Sequence, residues 1–413
     1  GRAERGRSSL TMEAVAVRTG YVPELLEMPG APPWLAALRR NAFLAFEKAG
    51  FPTPHDEAWR YTGIQPITET AWVGARAALS PVALPAGARL RLLSEVPGRE
   101  VEPLLAKIVP GDGHRFFAAL NTASLEDAYV LEIAAGAILT EPITLEWTAP
   151  ATPVPEVTHP RILVLAGERS QAQVVETYSF DGGGEGRYFR NAVTEIALAD
   201  GAVLEHYALQ RESLSACHVH TVAARQGRAS HFTSHNVALG SALARVDLDV
   251  VLDAEGAECA LFGLFAGAGK QHLDNHTTID HAKPHCVSRE LYKGVMDGAS
   301  RGVFFGKIIV RPDAQKSDAI QTNKNLLLSR EALVNSTPAL EIFADDVKCK
   351  HGSTTGQLDA LALFYLRSRG IGEAEARTLL TQAFAADVAE RLRVPAVRDA
   401  VADELARRLG GGA

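Results

Sequence analysis

A cysteine and a histidine two residues apart give the strongest chemical signal in this sequence. Cys349 and His351 stand in the segment KCKHG, and on a β-strand such a pair points to one face. Thiolate and imidazole both bind iron or zinc, so this pair is the candidate metal- and cofactor-binding site. Two ligands are too few for a stable four-coordinate site, and a second chain or a transient occupant would have to complete it. The spacing alone favours a simpler alternative, a core cysteine beside a histidine bound to a backbone carbonyl, because buried cysteine is common.

The segment from His272 to Cys286 is a second candidate, because it holds four histidines and one cysteine. Such a cluster could bind zinc. Its spacing matches neither a CxxC nor an HExxH arrangement, however, and the strand-like TTI interrupts it. The pattern therefore favours histidines that lie on the surface or line a coil of the fold.

Nucleophilic catalysis has little support in the sequence. The GxSxG pattern occurs as GASRG at 298–302, but there it belongs to one of the recurring small-residue turns and not to a strand-to-helix elbow. No carboxylate-oriented base is evident for Cys349. The glycine-rich DGGGEG lacks the Lys-Ser/Thr ending of a phosphate-binding loop and is typical of a turn. The polar stretch 314–329 is typical of hydrogen-bonded side-chain ladders. We predict no catalytic residue and no enzyme activity.

Composition excludes several broad classes of protein. The sequence is 46% hydrophobic and 22% charged, which is typical of globular protein. Its 413 residues are enough for two or three domains, or for one elongated body with appendages. A net charge of -7 argues against nucleic-acid binding, and the chain shows neither a 20-residue apolar run nor a secretory signal. Four scattered cysteines argue against disulfides and predict a reducing, cytoplasmic location. We expect GRAERGRSS to be a leader or cloning remnant, with Met12 a possible native start.

The sequence pattern divides the chain into three regions, which would position the candidate residues. Residues 1–115 are expected to form a leader and an N-terminal helical region, 116–352 a strand-rich core, and 353–413 a C-terminal helical region. Small-residue turns such as Gly136-Ala137, Gly201-Ala202 and Gly256-Ala257 recur through the core, and long helical patterns are missing there. A β-sandwich and a parallel β-solenoid both fit this pattern. The recurring turns favour the solenoid.

The C-terminal region carries apolar stripes at helical spacing. LDALALFYLRSRG and GEAEARTLLTQAFAADVAERLR each predict a helix, and Pro395 begins another. A stripe of this kind packs either on the strand body or on another protein. Helical periodicity nominates the following residues for contact with a partner, although each could equally belong to the core: Leu361, Tyr365, Leu380 and Phe384.

Long, ordered segments of the C-terminal half resemble the SufB/SufD scaffold family of iron–sulfur cluster assembly. The resemblance runs from about Asp274 to Leu392, and its longest stretches are HTTIDHAKPHCVSRELYKGVMDG, AQKSDAIQTNKNLLLS and LEIFADDVKCKHGSTTGQLD. The N-terminal FPTPHDEAWRYTGI is similar to the entry motif of the family. Residues between about 65 and 130 carry little recognisable signal.

The resemblance implies a fold, partners and a site. It implies a right-handed parallel β-helix core, mainly β with helical termini, that pairs with SufB along the β-helix edge. The C-terminal helices would bind the ATPase SufC. His351 and Cys349 would face a transient iron–sulfur cluster at the SufB–SufD interface. A flavin is possible at the level of the complex, and no cofactor is expected in the isolated chain.

Two departures from SufB point to the SufD type of member. SufB has a carboxylate immediately after the matching histidine, where this chain has Gly352, and a reactive cysteine where this chain has Asn323. The resemblance therefore implies half of a site, completed by another chain. Two alternatives stay open: a pure interaction subunit in which Cys349 and His351 are structural, or a metal-dependent β-solenoid or cupin-like enzyme that uses the histidines from His272 to His285. A solenoid edge without its partner would favour a homodimer.

Overall fold

From residue 161 onward, successive strands alternate between two sheets, which wind into a β-solenoid of about eight turns. The computed structural model describes residues 32–108, 116–182 and 186–410. The predicted leader, Met12 and the middle of DGGGEG lie outside the described residues. The prediction of a parallel solenoid is confirmed, and the sandwich alternative is excluded because each strand of the core pairs in parallel with the strand one turn away. The right-handed sense of winding stays a prediction.

The larger sheet has eleven strands. All of its pairings are parallel except that between its first two strands on the main path, β2 and β3, which is antiparallel. Its spatial order is β18-β16-β14-β12-β10-β8-β6-β3-β2, and β1 and β5 lie off this path. The strands are β1 Val73–Gly74, β2 Ala88–Leu92, β3 Tyr129–Ile133, β5 Glu156–Thr158, β6 Arg161–Ala166, β8 Tyr188–Leu198, β10 Cys217–Gln226, β12 Leu243–Leu252, β14 His272–His281, β16 Arg301–Val310 and β18 Leu333–Ile342.

The smaller sheet has eight strands, all parallel, in the order β19-β17-β15-β13-β11-β9-β7-β4. Their residues alternate between the solenoid interior and the outer face, as the two-residue period of a strand requires. The strands are β4 Ile143–Pro150, β7 Gln171–Asp181, β9 Val203–Arg211, β11 His231–Ala238, β13 Glu258–Gly267, β15 Val287–Met296, β17 Asp318–Leu327 and β19 Lys348–Gly356.

Glycine turns connect the coils where the sequence predicts them. Gly136, Gly201, Gly256 and Gly298 all have positive φ, a conformation that glycine adopts without the steric cost of a Cβ. At Gly298 an added Cβ would also lie 2.9 Å from the backbone nitrogen of Gly269 in the neighbouring coil. The turn residues therefore set both the direction of the chain and the spacing between coils.

Helices cover the outer faces of the two sheets. The N-terminal helices pack on the larger sheet, where Phe43 and Phe46 contact a buried cluster with Phe189 and Val219. The C-terminal helices pack on the smaller sheet, through residues such as Val388. The helices are α1 Pro33–Ala49, α2 Gln65–Thr68, α3 Gly98–Val101, α4 Phe116–Ala123, α5 Ala360–Ser368, α6 Glu373–Ala389 and α7 Pro395–Gly410, with short 3-10 turns at Glu57–Trp59 and Leu93–Glu95.

None of the helices in the described ranges combines the length and apolar character that a membrane crossing requires. The predicted region boundaries at 115 and 352 stay predictions. The region before residue 115 nevertheless contributes strands β1 and β2 to the larger sheet, and β19 continues to Gly356.

Candidate functional site

The last coil of the solenoid forms an open end. Strands β18 and β19 are the outermost strands of their sheets within the described part of the chain. The residues of β18 are half-buried or exposed, and most of β19 is exposed. An outermost strand presents backbone N–H and C=O groups to any strand that approaches. The open end is therefore able to pair with a further sheet.

Cys349 and His351 both lie on β19, at alternate positions. Cys349 is in register with Ala319 of the neighbouring coil, and His351 is in register with Gln321. Ala319 and Gln321 are buried, so the pair continues two columns of interior side chains out to the open end. Cys349 is half-buried and packs on the main hydrophobic core, whereas His351 is exposed. This placement is consistent with the same-face arrangement of Cys349 and His351 that their spacing predicts.

Burial determines the chemical state of the cysteine. Partial burial raises the pKa of the Cys349 thiol above its ordinary value of 9.0. At neutral pH the group is therefore a thiol, and it becomes a thiolate ligand only when a metal ion displaces its proton. Cys349 is accordingly a poor spontaneous nucleophile.

An amide ladder fills the interior beside this pair. Asn325 Nδ2 donates to Asn323 Oδ1 at 2.6 Å, and Ser336 Oγ donates to the same oxygen at 2.8 Å. Asn323 Nδ2 donates in turn to the Tyr292 carbonyl at 3.2 Å. Ser353 Oγ lies 2.7 Å from Ser336 Oγ. Asn323, which stands where the sequence resemblance places the reactive cysteine of SufB, thus joins a network that ties the two sheets together.

Gly352 lies on the other face of β19 from His351, because adjacent strand residues alternate. A Cβ added at Gly352 would meet no heavy atom within 4 Å. The fold therefore has room for a larger side chain at this position, and steric crowding does not explain the lack of a carboxylate there.

The histidines between His272 and Cys286 are not brought together. His272 Nε2 lies 2.9 Å from Thr62 Oγ1 on the outer face, whereas His281 Nε2 lies 2.9 Å from Ser288 Oγ inside the solenoid. His276 pairs with Asp274 at 3.0 Å under the N-terminal segment. His272, His276 and His281 thus have separate structural partners, which agrees with the interpretation that the sequence pattern favours.

The described residues contain no group of three or more histidine, cysteine, aspartate or glutamate side chains placed to hold a metal ion. The donors that the sequence predicts at the open end are one imidazole and one thiol. A four-coordinate metal bound there would need further donors from elsewhere.

Helix α5, which we call the C-terminal arm, carries exposed apolar residues. Leu361 is 78% exposed and Tyr365 is 57% exposed, whereas Leu380 and Phe384 are half-buried. Phe384 packs toward the smaller sheet, with the Lys293 ammonium 4.6 Å from its ring centre. Contact with a partner stays a prediction for all four residues.

Sequence reasoning missed Phe364, which is 71% exposed on the same helix. It follows Leu361 by three residues, so the helical i, i+3 spacing could have found it. Asp359 caps this helix, since its Oδ1 accepts from the backbone N–H of Leu361 at 2.8 Å. The cap gives the exposed apolar patch a defined helical start.

Sequence comparisons with known proteins match most of the chain. The model of the SufBD core domain of the SUF system for FeS cluster assembly matches residues 148–384. The iron–sulfur cluster assembly protein SufD of Escherichia coli is 32% identical over 392 residues, which is 89% of this chain and 91% of that protein.

Two further relatives carry the SufBD family name. A protein from Synechocystis is 37% identical over 287 residues, which is 68% of this chain, and the match spans 63% of the length of that relative. One from Mycobacterium tuberculosis is 30% identical over 382 residues, which is 88% of this chain and 91% of that protein. Together with the solenoid and its open end, these matches show that the chain belongs to the SufB/SufD family of iron–sulfur cluster assembly proteins, as a member of the SufD type.

Proposed function

We propose that this chain is the scaffold subunit of a SufB–SufC–SufD-type complex and contributes Cys349 and His351 to the site where a nascent iron–sulfur cluster is held. The observation that carries the proposal is the position of this pair on β19, the outermost strand of the open end. The cluster is cargo, bound during assembly and then passed on.

Strand pairing would supply the missing half of the site. A SufB-like subunit that adds strands beside β18 and β19 would continue both sheets and cover the inward face of the last coil. Its own donors would then lie next to Cys349 and His351. This explains why two donors on one chain suffice, since a four-coordinate iron can be shared between two proteins.

The two donors would have different roles at such a site. His351 is exposed and can bind a metal through a ring nitrogen whenever the imidazole is neutral. Cys349 is held as a thiol by partial burial, so it would bind iron only after the metal displaces its proton. His351 would therefore bind the metal or carry protons first, and Cys349 would coordinate the cluster iron afterwards.

The exposed patch of α5 is the surface that we assign to the SufC-like ATPase. Leu361, Phe364 and Tyr365 are all more than half exposed on one short helix. Exposed aromatic residues that cluster in this way are typical of protein–protein contacts. The half-buried Phe384 would support the patch from below through its packing on the strand body.

The test is cluster assembly in the co-expressed complex with His351→Ala. We expect the complex to form at wild-type yield on size exclusion but to hold several-fold less iron and acid-labile sulfide. Lys350→Ala is the matched control, because Lys350 is exposed on the opposite face of the same strand. Wild-type cluster content in His351→Ala would contradict the ligand role, and circular dichroism would separate that role from a loss of folding.

A second candidate function is a pure interaction subunit. The observations that favour it are Asn323, which is fully occupied in the amide ladder, and Gly352, which carries no donor. Under this hypothesis a Cys349→Ser, His351→Ala double variant would assemble clusters normally. The α5 surface would still be required, so Phe364→Ser would weaken ATPase binding under either hypothesis.

Three finer expectations stay predictions. A homodimer of the isolated chain through its open end is testable by sedimentation, since an added SufB-like partner should compete for the open end and dissociate the dimer. A flavin at the level of the complex and a cytoplasmic location are the other two. The metal-dependent enzyme hypothesis gains no support, because the histidines on which it relied face different sides of the larger sheet.

A further inference from the structure

A buried carboxyl group lies directly behind His351 in the solenoid interior. The pairings of the smaller sheet align Glu290 with Gln321, and Gln321 with His351, in three successive coils. Neighbouring strands lie roughly 4.8 Å apart, so this column reaches from the open end to two coils inside. Glu290 is 3% exposed and Gln321 is 1% exposed.

Glu290 and Gln321 are joined by one hydrogen bond. Gln321 Nε2 donates to Glu290 Oε2 at 2.8 Å. The second carboxyl oxygen, Glu290 Oε1, and the amide oxygen, Gln321 Oε1, are both buried without a close hydrogen-bond partner among the described residues. The Thr277 hydroxyl, which lies near Glu290, is likewise unpaired. Native proteins rarely leave such atoms unpaired. A polar pair with one spare oxygen at each end is able to exchange its hydrogen bond for another one.

The surroundings of Glu290 hold no opposite charge. On the neighbouring and facing strands, the titratable side chains that point inward are Cys259 on β13 and His281 on β14, and Tyr292 lies on the same strand. Burial raises the pKa values of Cys259 and Tyr292 and lowers that of His281 to about 4, so all three are neutral near pH 7.

The inward positions of β16 and β17 around this column are apolar, glycine or amide residues. Burial therefore raises the pKa of Glu290 to about 7, and the nearby Thr277 and Gln321 offset only part of that rise. Near neutral pH the carboxyl group is consequently present in both protonation states.

The solenoid wall is shaped around the Gln321 amide. Gly306 lies across from it on β16, and a Cβ added there would collide with Gln321 Nε2. The inward position 306 thus has no side chain where the amide needs space. This close approach indicates that the site is built for a side chain of this size and chemistry.

We propose that Glu290 is a positioning residue for His351, acting through the Gln321 amide. The ionised carboxylate accepts from Gln321 Nε2 and leaves the amide oxygen for other donors. The protonated carboxyl has an O–H that can donate to Gln321 Oε1, which requires the amide to turn over and present its N–H groups instead. His351 would meet an acceptor in one state and a donor in the other.

At the open end, the state of the Gln321 amide would determine which ring nitrogen of His351 carries the proton. An acceptor behind His351 favours a ring N–H on the inner side and leaves the outer nitrogen free to bind a metal. A donor behind it favours the reverse tautomer. This inference rests on the proposed function, because it assigns Glu290 a role only if His351 contacts the cargo.

The first test does not involve cluster assembly. In the isolated full chain labelled with 15N-glutamine, the Gln321 side-chain amide signal should shift with a midpoint near pH 7. Gln321→Met identifies the signal. The step should vanish in Glu290→Gln and persist in Glu258→Gln, an exposed control on β13. A Gln321 signal that does not change with pH, or a step that survives Glu290→Gln, would overturn the proposal.

The second test uses the assembled complex. The wild-type rate of cluster assembly should change between about pH 6 and pH 8, and in Glu290→Gln the ratio of the two rates should fall to about one. Glu290→Asp should restore a pH-dependent ratio. An unchanged profile in Glu290→Gln contradicts this inference.

The two proposals fail in different ways. Normal cluster assembly in His351→Ala would refute the proposed function, but the pH-dependent shift of the Gln321 amide signal in the isolated chain would remain. Circular dichroism of Glu290→Gln would exclude a general loss of folding.

Discussion

The interior of the solenoid near its middle and its interior at the open end handle polar groups in opposite ways. Both carboxylate oxygens of Glu176 accept hydrogen bonds: His206 Nε2 lies at 2.7 Å, Tyr178 Oη at 2.7 Å and Thr194 Oγ1 at 2.8 Å from them. At the open end His351 is exposed, and Glu290 and Gln321 behind it keep unpaired oxygens. The first arrangement stabilises the fold, and the second leaves polar atoms available for a bound ligand or partner.

The two buried glutamates show the same contrast in their acidity. Burial alone would raise the pKa of Glu176, but hydrogen bonding and charge from His206 hold it at about 2. Burial raises the pKa of Glu290 to about 7, because no cation faces it. A saturated site thus fixes one protonation state, whereas an unsaturated site allows two near neutral pH.

Removing Glu176 should have the largest effect on stability. Glu176→Ala leaves His206, Tyr178 and Thr194 buried without their shared acceptor, and breaking a buried network of this kind costs about 3–5 kcal/mol. Guanidinium unfolding followed by circular dichroism measures the loss. Glu146→Ala, at an exposed position on the adjacent strand β4, should change stability by less than about 0.5 kcal/mol. Equal effects of the two variants would refute the contrast.

The pH dependence of stability should differ in sign between the two glutamates. Glu290 has its folded pKa raised from 4.5 to about 7, so between these values the folded chain keeps a proton that the unfolded chain has lost. Stability therefore falls as pH rises through that window, by roughly 3 kcal/mol. Glu176, with a pKa lowered from 4.5 to about 2, loses its stabilising contribution only as pH falls below about 4.5.

The measurement is denaturant unfolding at several pH values between about 5 and 8. The difference between wild type and Glu290→Gln isolates the contribution of this one group, because other titrating groups cancel. The stability of Glu290→Gln should not show the decrease with rising pH that we assign to Glu290. A wild-type curve that runs parallel to the curve of Glu290→Gln would show that Glu290 titrates at its ordinary value.

The sequence predicts the solenoid and its turns but not the contents of its interior. Gly201 and Gly256 mark coil ends because positive φ restricts the residue type, and a Cys–His pair two apart must share a strand face. Glu176 and His206 read as solvent-facing in a strand pattern, since polar residues are usually exposed. Their pairing depends on the register between coils, which the intervening turns set and the sequence does not display.

The same limit explains what was missed at the site. Gln321 lies 31 residues after Glu290 and 30 residues before His351, and the three become neighbours in one column only through the stacking of coils. The pairing of β2 with β3 was not predicted either, because the segments around residues 65 to 130 carry little strand periodicity. The exposure of Phe364 depends on how α5 lies relative to α6, which no local pattern specifies.

The arm should bind its partner without contributing to the fold. Phe364→Ser should weaken binding of the SufC-like ATPase by about 30-fold, equivalent to roughly 2 kcal/mol, as expected for an exposed aromatic anchor. Isothermal titration or a pull-down measures this change. The control is Val388→Ala, where the side chain is buried on the strand body. It should destabilise the chain yet leave the affinity of the folded fraction unchanged. The reverse pattern would move the interface to α6.

The smallest effect on stability is expected at the open end itself. Cys349→Ser, His351→Ala should shift the free energy of unfolding by less than about 0.5 kcal/mol, because His351 is exposed and Cys349 only half-buried. The partner interface should also persist, since strand pairing uses backbone groups that neither change removes. Thermal unfolding and size exclusion with the SufB-like subunit test both points. A loss above about 2 kcal/mol would mean that the pair serves the fold as Glu176 does, and the contrast between the two regions would then fail at its open end.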